Sequence, residues 1–143
     1  MRNDVSRPVA ETAPARKIRV VLVDDSVPAM TFLVHVVETF PRVQIAGQAE
    51  DGLEGFALAA WLQPDLVITD LQMPGFNGFQ LVELLRQKYP AIRSIVTSAH
   101  DSPTFHAASL KHGADAFISK RCLLDEFPRQ LNRLFPDTAE SST

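Results

Sequence analysis

The sequence is poor in several features, and each lack excludes a class of protein. A single cysteine, Cys122, cannot form an internal disulfide, and nothing indicates an oxidising compartment. There is no excess of basic residues: the net charge of -3 offers no general attraction to nucleic acid or to an anionic membrane. No apolar run has the roughly 18 residues of a membrane span or the form of a signal peptide. We therefore expect a cytoplasmic protein that by itself binds neither nucleic acid nor membrane.

The length of 143 residues, 45% of them hydrophobic, predicts one globular domain with a core of ordinary size. Residues 1–16 mix charged residues and prolines with few large apolar ones, which predicts a flexible N-terminal extension. We expect the domain to occupy residues 17–135 and a polar C-terminal tail to occupy residues 136–143.

Apolar runs and helical spacings alternate along this domain. The predicted strands are residues 19–23, 43–49, 66–70, 92–98 and 115–119. Four of the predicted helices are residues 27–38, 78–89, 102–112 and 124–135. The remaining helix follows the cap at Asp51-Gly52 and contains Leu53 to Trp61. Five strand-helix units predict an α/β fold of the flavodoxin-like kind, with a doubly wound five-stranded parallel sheet in the order 2-1-3-4-5.

Helical spacing also predicts which side of each helix faces the core. For the second helix the expected core face is Leu53, Phe56, Ala57, Ala60 and Trp61, after a cap at Asp51. For the fourth helix it is Ala107 and Leu110, and for the fifth it is Phe127, Leu131 and Leu134. In the fifth helix we expect Asp125 as the cap, which would place Pro128 in the first turn.

Carboxylates follow two of the strands. Asp24 and Asp25 end the first strand, and Asp70 ends the third. The predicted order makes these strands neighbours, so the three side chains should converge at the carboxyl edge of the sheet. Carboxylates that close repel one another by about a kcal/mol or more per pair, so a cation is expected among them. Oxygen ligands of this kind suit Mg²⁺.

Two further polar residues end the neighbouring strands at the same edge. Ser98 ends the fourth strand and brings a hydroxyl, and Lys120 follows the fifth strand and brings a positive charge. A phosphoryl group on Asp70 would therefore meet metal, ammonium and hydroxyl together, which is the electrostatic arrangement that phosphoryl transfer requires.

Four short motifs occur in the order that a known family has them. They are Asp24-Asp25, the turn Asp70-x-x-Met73-Pro74-Gly75-x-x-Gly78, Ser98-Ala99 and Phe117-x-x-Lys120. With these motifs the chain resembles a response-regulator receiver domain of two-component signalling. The resemblance covers about residues 17–135.

The resemblance implies a role for each site residue. Asp70 would be the phosphoacceptor for a histidine kinase or a histidine phosphotransfer protein, and Lys120 would contact the phosphoryl group. The ligands of Mg²⁺ would be Asp25, Asp70 and the backbone carbonyl of Gln72, with Asp24 acting through water. Ser98 and Phe117 would be the switch pair.

The switch would reshape the face made by helix 4, strand 5 and helix 5, which would bind a downstream protein or a second copy of the chain. The protein would then be a signalling protein, and its phosphoryl transfer would act only on its own Asp70. We further hypothesise that Gln72 and His100 set the lifetime of the phosphorylated state.

Three alternatives remain open. The chain resembles receivers excised from DNA-binding transcriptional regulators in one respect: Arg121 follows Lys120, where many family members have proline. A Mg²⁺-dependent phosphohydrolase also uses acidic clusters at strand ends. An unphosphorylated binding module could keep the fold for its surface. At two positions a structural role competes with the switch, since Ser98 could be a buried hydroxyl bonded to backbone and Phe117 could be a core residue.

Overall fold

The structure is a computed structural model that describes residues 16–100 and 102–136. The strands are β1 (Ile18–Val23), β2 (Val43–Ala49), β3 (Leu66–Asp70), β4 (Arg93–Ser98) and β5 (Ala116–Ser119). The helices are α1 (Val27–Glu38), α2 (Gly52–Leu62), α3 (Gly78–Lys88), α4 (Pro103–Lys111) and α5 (Leu123–Leu134), with a 3-10 turn at Lys120–Cys122. Most of the predicted flexible extension and of the predicted C-terminal tail, residues 1–15 and 137–143, lies outside the described residues.

The five strands form one sheet in the order β2-β1-β3-β4-β5, and every neighbouring pair is parallel. The predicted fold and strand order are confirmed. Because β1 lies between β2 and β3, the chain reverses its direction of winding at this point, and the carboxyl ends of β1 and β3 lie side by side.

The sheet is covered on both faces, and alternate residues of the central strands point to opposite cores. Val20 and Leu22 of β1 pack with α1 and α5, whereas Val21 and Val23 pack with α2 and α3. All of β3 is buried. Strands that are covered on both faces consist of continuous apolar runs, and such runs made these strands recognisable in the sequence.

Side-chain caps fix the first turns of four helices, α1 to α4. Ser26 accepts a hydrogen bond from the backbone N–H of Ala29, and Ser102 accepts one from that of Thr104. Asp51 accepts one from the N–H of Glu54, and this cap was predicted from the sequence. At α3, Asn77 and Gln80 exchange two such bonds in a capping box. These helices therefore begin at fixed positions just after the carboxyl edge of the sheet.

The predicted core face of α2 is wrong at Leu53, Ala57 and Trp61, whereas Phe56 packs partly buried against the core. Leu53 and Trp61 are 64% and 82% exposed, and Ala57 is also exposed. At Gly55 α2 lies very close to β1, since a Cβ atom there would be 2.8 Å from a methyl carbon of Val23. A large side chain cannot occupy that point of contact, and the larger residues Phe56, Leu58 and Leu62 are only partly buried against the core.

The predicted face of α4 is wrong as well, since Ala107 is exposed and Leu110 is 45% exposed. The buried residue is Ser109, whose hydroxyl donates a hydrogen bond to the carbonyl of Phe105 at 2.8 Å. Because this bond satisfies the hydroxyl within the helix, a polar residue can take the inward position.

The start of α5 is also wrong in the sequence prediction, although Phe127 and Leu131 are buried and Leu134 is partly buried as expected. The 3-10 turn leads directly into Leu123, so Asp125 lies inside the first turn and is not the cap. Pro128 is then an interior residue of α5. Leu124, whose carbonyl loses a donor to this proline, is 62% exposed, where water can replace the missing bond.

Among the residues that the structure describes, no helix has both the length and the apolar character that crossing a membrane requires.

Candidate functional site

The carboxyl edge of the sheet gathers the polar residues that the sequence analysis singled out. Asp24 and Asp25 follow β1, Asp70 ends β3, Ser98 ends β4 and Lys120 follows β5. Each of the three aspartates offers a carboxylate oxygen, and these oxygens all lie within 4.8 Å of one another. The strand order therefore brings the acidic residues together as predicted.

Asp24 is held by two donors and is 3% exposed. Its Oδ1 accepts a hydrogen bond from the backbone N–H of Ser26 at 2.9 Å, and its Oδ2 lies 2.8 Å from Nζ of Lys120. The sequence contains no signal for this second contact, because it joins residues that only the assembled sheet brings together. Asp25 is exposed beside it. One carboxylate thus orients the lysine, and the next faces solvent.

Lys120 links both buried acids, since its Nζ also lies 3.1 Å from Oδ1 of Asp70. Burial raises the pKa of Asp70, and the nearby charge of Lys120 lowers it. The charges of Asp24 and Asp25 raise it further, so the net shift of the Asp70 pKa is upward. Burial lowers the pKa of Lys120, but its bond to Asp24 and the charge of Asp70 outweigh that effect and raise it.

Three carboxylates and one ammonium leave this edge with an excess of negative charge. The donor set consists of hard oxygen atoms, one of them on an exposed side chain, and a divalent cation would balance the excess. The residues present therefore fit Mg²⁺.

The loop after Asp70 is folded back against the sheet. The N–H of Leu71 donates to the carbonyl of Thr97 at 2.7 Å, and the N–H of Gly78 donates to the carbonyl of Leu71 at 3.0 Å. A Cβ atom at Gly78 would lie 2.5 Å from the carbonyl oxygen of Asp70, which is closer than any side chain tolerates. Gly78 thus lets α3 begin against the backbone of Asp70, and Gln72 is exposed in the loop between them.

Ser98 is fully buried at the end of β4, and its hydroxyl oxygen accepts the backbone N–H of His100 at 3.0 Å. The neighbouring Thr97 directs its hydroxyl to the carbonyl of Thr69, 3.4 Å away within the sheet. The bonded, buried state of Ser98 agrees with the structural role that the sequence left open, and its position beside the acidic cluster also suits a switch. His100 is exposed after it.

Phe117 is 8% exposed and packs with Leu71, Val82 and Val96. Its ring centroid lies 5.4 Å from that of His106 on α4. Sequence analysis assigned no role to His106, because the contact depends on how α4 crosses β5 and leaves no spacing signal. In this structure Phe117 is directed into the core, so core packing is observed at this position.

Known proteins are similar to this chain in sequence over most of its length. The family model described as "Response regulator receiver domain" matches residues 20–132. The transcriptional regulatory protein MctR of Rhizobium johnstonii is 34% identical over 77% of this chain and 51% of its own length. The nitrate/nitrite response regulator protein NarL of Escherichia coli is 34% identical over 71% of this chain and 47% of its own length.

Two solved structures show the same fold. The signal receiver domain of the putative response regulator NarL from Mycobacterium tuberculosis superposes with a TM-score of 0.73 at 29% identity, covering 87% of this chain and 98% of that one. The response regulator domain of Thermotoga maritima CheB gives a TM-score of 0.75 at 28% identity, covering 83% and 96%. The chain spans about half the length of MctR and NarL and most of the length of these isolated domains.

Proposed function

Because the chain belongs to the family of response regulator receiver domains, we propose that Asp70 accepts a phosphoryl group from a phosphorylated histidine of a sensor kinase or phosphotransfer protein. The observation that carries this proposal is the position of Lys120, whose Nζ lies within 3.1 Å of Asp70 and 2.8 Å of Asp24. A lysine held by two buried carboxylates is placed to receive the negative charge of a phosphoryl group at Asp70.

In the proposed transfer, an oxygen of Asp70 forms a bond to phosphorus while the bond from phosphorus to the histidine nitrogen breaks. The electron pair of that bond stays on the imidazole of the donor. Lys120 stabilises the charge on the phosphoryl oxygens, and the hydroxyl of Ser98, whose oxygen accepts the N–H of His100, can donate its own proton to one of them.

Asp25, Asp70 and the carbonyl of Gln72 are the proposed ligands of Mg²⁺, with Asp24 acting through water. When bound, the ion supplies positive charge that neutralises phosphoryl oxygens. The residues of the chain provide the remaining functions: Asp70 is the nucleophile, Lys120 is the fixed cation, and Asp24 holds Lys120 in place.

Phosphorylation is proposed to act through the face formed by α4, β5 and α5. Ser98 and Phe117 would change their positions together, and the reshaped face would bind a downstream protein or a second copy of the chain. Phe117 lies in the core next to His106 in the present state, so movement of its ring would alter the surface of α4. The protein is thus proposed to be a cytoplasmic signalling protein whose receiver domain occupies residues 17–135.

The chain could also be the receiver part of a longer DNA-binding regulator, since it spans about half of MctR, which is named a transcriptional regulatory protein. Reading the gene beyond the codon for Thr143 distinguishes this alternative. A phosphohydrolase is the other alternative, and turnover of an added phosphoester that is lost in Asp70→Asn would support it.

The direct test is to incubate the purified protein with a small acyl phosphate and Mg²⁺ and to measure its intact mass. We expect one phosphoryl adduct on the wild type and none on Asp70→Asn. Asp65→Asn is the matched control, because Asp65 lies just before the other end of the same strand and should leave labelling intact. No adduct on the wild type, or an equal adduct on Asp70→Asn, would refute the assignment.

The lifetime hypothesis has its own test. The rate of loss of the adduct should change in Gln72→Ala and in His100→Ala, since both side chains are exposed near Asp70 and Ser98. Lys111→Ala, on the exposed end of α4, is the control. Unchanged rates in both variants would rule out a role for these residues in the hydrolysis.

A further inference from the structure

An exposed apolar stripe runs along α2, on the side away from the sheet. It consists of Leu53, Ala57 and Trp61, which recur every fourth residue and therefore lie on one side of the helix. Trp61 is 82% exposed and Leu53 is 64% exposed. A large aromatic side chain left in water is unusual for a folded domain and marks an interaction surface. We call these three residues the α2 stripe.

The fold does not need the α2 stripe. Gly52, Gly55 and Ala59 are the buried residues of α2, and Phe56, Leu58 and Leu62 pack partly buried against the core. The helix carries one charged residue, Glu54, so the outer side lacks the charges that usually keep an exposed helix face in water. In the part of the chain that the structure describes, Leu53, Ala57 and Trp61 belong to none of the apolar clusters of the core.

The area of the α2 stripe points to a small partner. A tryptophan side chain buries about 150–250 Å² when it is covered. With Leu53 and Ala57 added, the stripe still falls well short of the about 800 Å² per partner that a standard protein interface buries. A second folded copy of the chain would need much more contact than the stripe offers, whereas a short peptide segment would not.

A suitable segment enters the domain beside the stripe. Arg16 forms two hydrogen bonds to the carboxylate of Asp65, at 2.7 and 3.0 Å, and Arg19 donates to the carbonyl of Leu62 at 2.7 Å. Residue 16 is thus held next to the C-terminal end of α2. Trp61 and Asp65 are four residues apart, so their Cα atoms are separated by at most about 14 Å. The 15 residues that precede Arg16 start from this position.

The other end of the described chain leaves elsewhere. Phe135 accepts a hydrogen bond from Arg42 at 2.5 Å and packs with the core formed by α1 and α5. That core lies on the opposite face of the sheet from α2. Residues 137–143 therefore start far from the α2 stripe, and residues 1–15 are the part of this chain outside the described structure that starts near it.

The length and chemistry of residues 1–15 match the stripe. Fifteen residues reach up to about 50 Å when extended, whereas Leu53 and Trp61 are only about 12 Å apart along the helix. The segment carries apolar residues that can cover a tryptophan, among them Val5, Pro8, Val9 and Pro14. Its two arginines, Arg2 and Arg7, are balanced by Asp4 and Glu11, so its formal side-chain charge is zero and the match to the stripe is apolar.

We propose that residues 1–15 lie along the α2 stripe and cover Trp61. Arg16 acts as the anchor, and the segment is held by a shallow apolar contact. A weak contact is sufficient here, because a short tether gives the segment an effective concentration in the mM range. None of the three residues of the α2 stripe belongs to the carboxyl-edge site, and the inference does not depend on phosphoryl transfer.

The chain has one tryptophan, so its fluorescence reports on the stripe directly. We would measure acrylamide quenching of Trp61 in the full chain, in a chain without residues 1–15, and in a full-length variant with Val5→Asp and Val9→Asp. The deletion removes none of the described strands or helices, and far-ultraviolet circular dichroism checks that each protein is folded. The full-length variant does not depend on the deletion folding.

If the segment covers Trp61, removing it should raise the quenching constant about twofold, since a contact of mM strength would be about half formed. The emission maximum should move to longer wavelength, and the full-length variant should shift in the same direction. Equal quenching in all three proteins would overturn the proposal. So would protection that grows with protein concentration, because it would show a second copy on the stripe.

Discussion

Replacing Asp70 by asparagine should stabilise the protein when no divalent metal is present. Asparagine has almost the same shape, keeps an oxygen that can accept from Lys120, and removes one negative charge from the edge. In the folded protein this charge is buried beside two other carboxylates, whereas in the unfolded chain water solvates it. The substitution should therefore remove a repulsion that exists mainly in the folded state.

The size of the effect follows from the distances. At an effective dielectric constant of about 20, the attraction of Lys120 for Asp70 across 3.1 Å is about 5 kcal/mol. Each repulsion from Asp24 or Asp25, across at most 4.8 Å, is about 3.5 kcal/mol on the same scale. Solvent around the exposed Asp25 weakens its repulsion, so the repulsions and the attraction are of similar size. Burial of the charge of Asp70, the largest cause of its raised pKa, then leaves the net effect destabilising. We expect Asp70→Asn to raise the free energy of unfolding by about 1–2 kcal/mol at neutral pH.

The pH dependence has a definite sign. The pKa of Asp70 is raised in the folded state, so between its unfolded value of 3.8 and its higher folded value the unfolded chain loses its proton first. Ionisation of Asp70 thus destabilises the wild type as the pH rises through this window. The advantage of Asp70→Asn should be complete above the window and should vanish below pH 3.8.

The assay is urea unfolding in a metal chelator, repeated at several pH values and with Mg²⁺. Saturating Mg²⁺ should reverse the order of stability, because an ion that binds only the folded wild type adds about 2.7 kcal/mol at a hundred times its dissociation constant.

Asp65→Asn is the matched control with the opposite sign. Burial alone would raise the pKa of Asp65, but its bonds to Arg16 and to the backbone N–H of Arg19 outweigh this and lower it. Asp65 therefore stabilises the folded chain above pH 3.8, and Asp65→Asn should be destabilising at neutral pH. If Asp70→Asn were no more stable than the wild type without metal, our account of the charge balance would be wrong.

Three further predictions concern the same edge. Gly78→Ala should lower the free energy of unfolding in urea by about 3 kcal/mol or more, because the new Cβ would meet backbone atoms of Asp70. The control Gly47→Ala should cost less than half as much, because its Cβ would meet only side-chain methyl groups, the nearest at 3.1 Å. Lys120→Met should destabilise by about 2–4 kcal/mol in chelator, because it leaves carboxylates unpaired, and added Mg²⁺ should recover part of the loss; equal stability to the wild type would contradict the pairing seen here. Asp24→Asn should weaken Mg²⁺ binding at least about tenfold by calorimetry, and the nearby surface variant Glu50→Gln should leave it unchanged.

The sequence predicted the strands and their edge well because those features depend on local pattern and on one rule of topology. Strand β3 is a continuous apolar run that ends at Asp70, and a strand buried on both faces has that form. The placement of Ser98 and Lys120 then followed from their positions at strand ends, since parallel strands share one carboxyl edge.

The failures depend on distances that no spacing in the sequence contains. Trp61 has the spacing of a core residue, but α2 approaches Val23 most closely at Gly55, and Trp61 is 82% exposed. Asp125 has the residue type of a helix cap, but the 3-10 turn at Lys120–Cys122 leads directly into α5, which starts at Leu123, before Asp125. The bond from Lys120 to Asp24 forms only when the strands are assembled into the sheet, so no spacing in the sequence indicates it.

The connection between β5 and α5 has a consequence for how the two ends of the site communicate. Lys120 is fixed at the acidic edge by its bonds to Asp24 and Asp70. The N–H of Leu123, the first residue of α5, donates a hydrogen bond to the carbonyl of Lys120 across a single 3-10 turn. No flexible linker therefore separates this lysine from α5. An α-helix turns by about 100° per residue. The position of Lys120 therefore sets the rotational phase of α5, and one residue added in the turn would aim a different side of α5 outward while leaving Asp70 and its neighbours where they are.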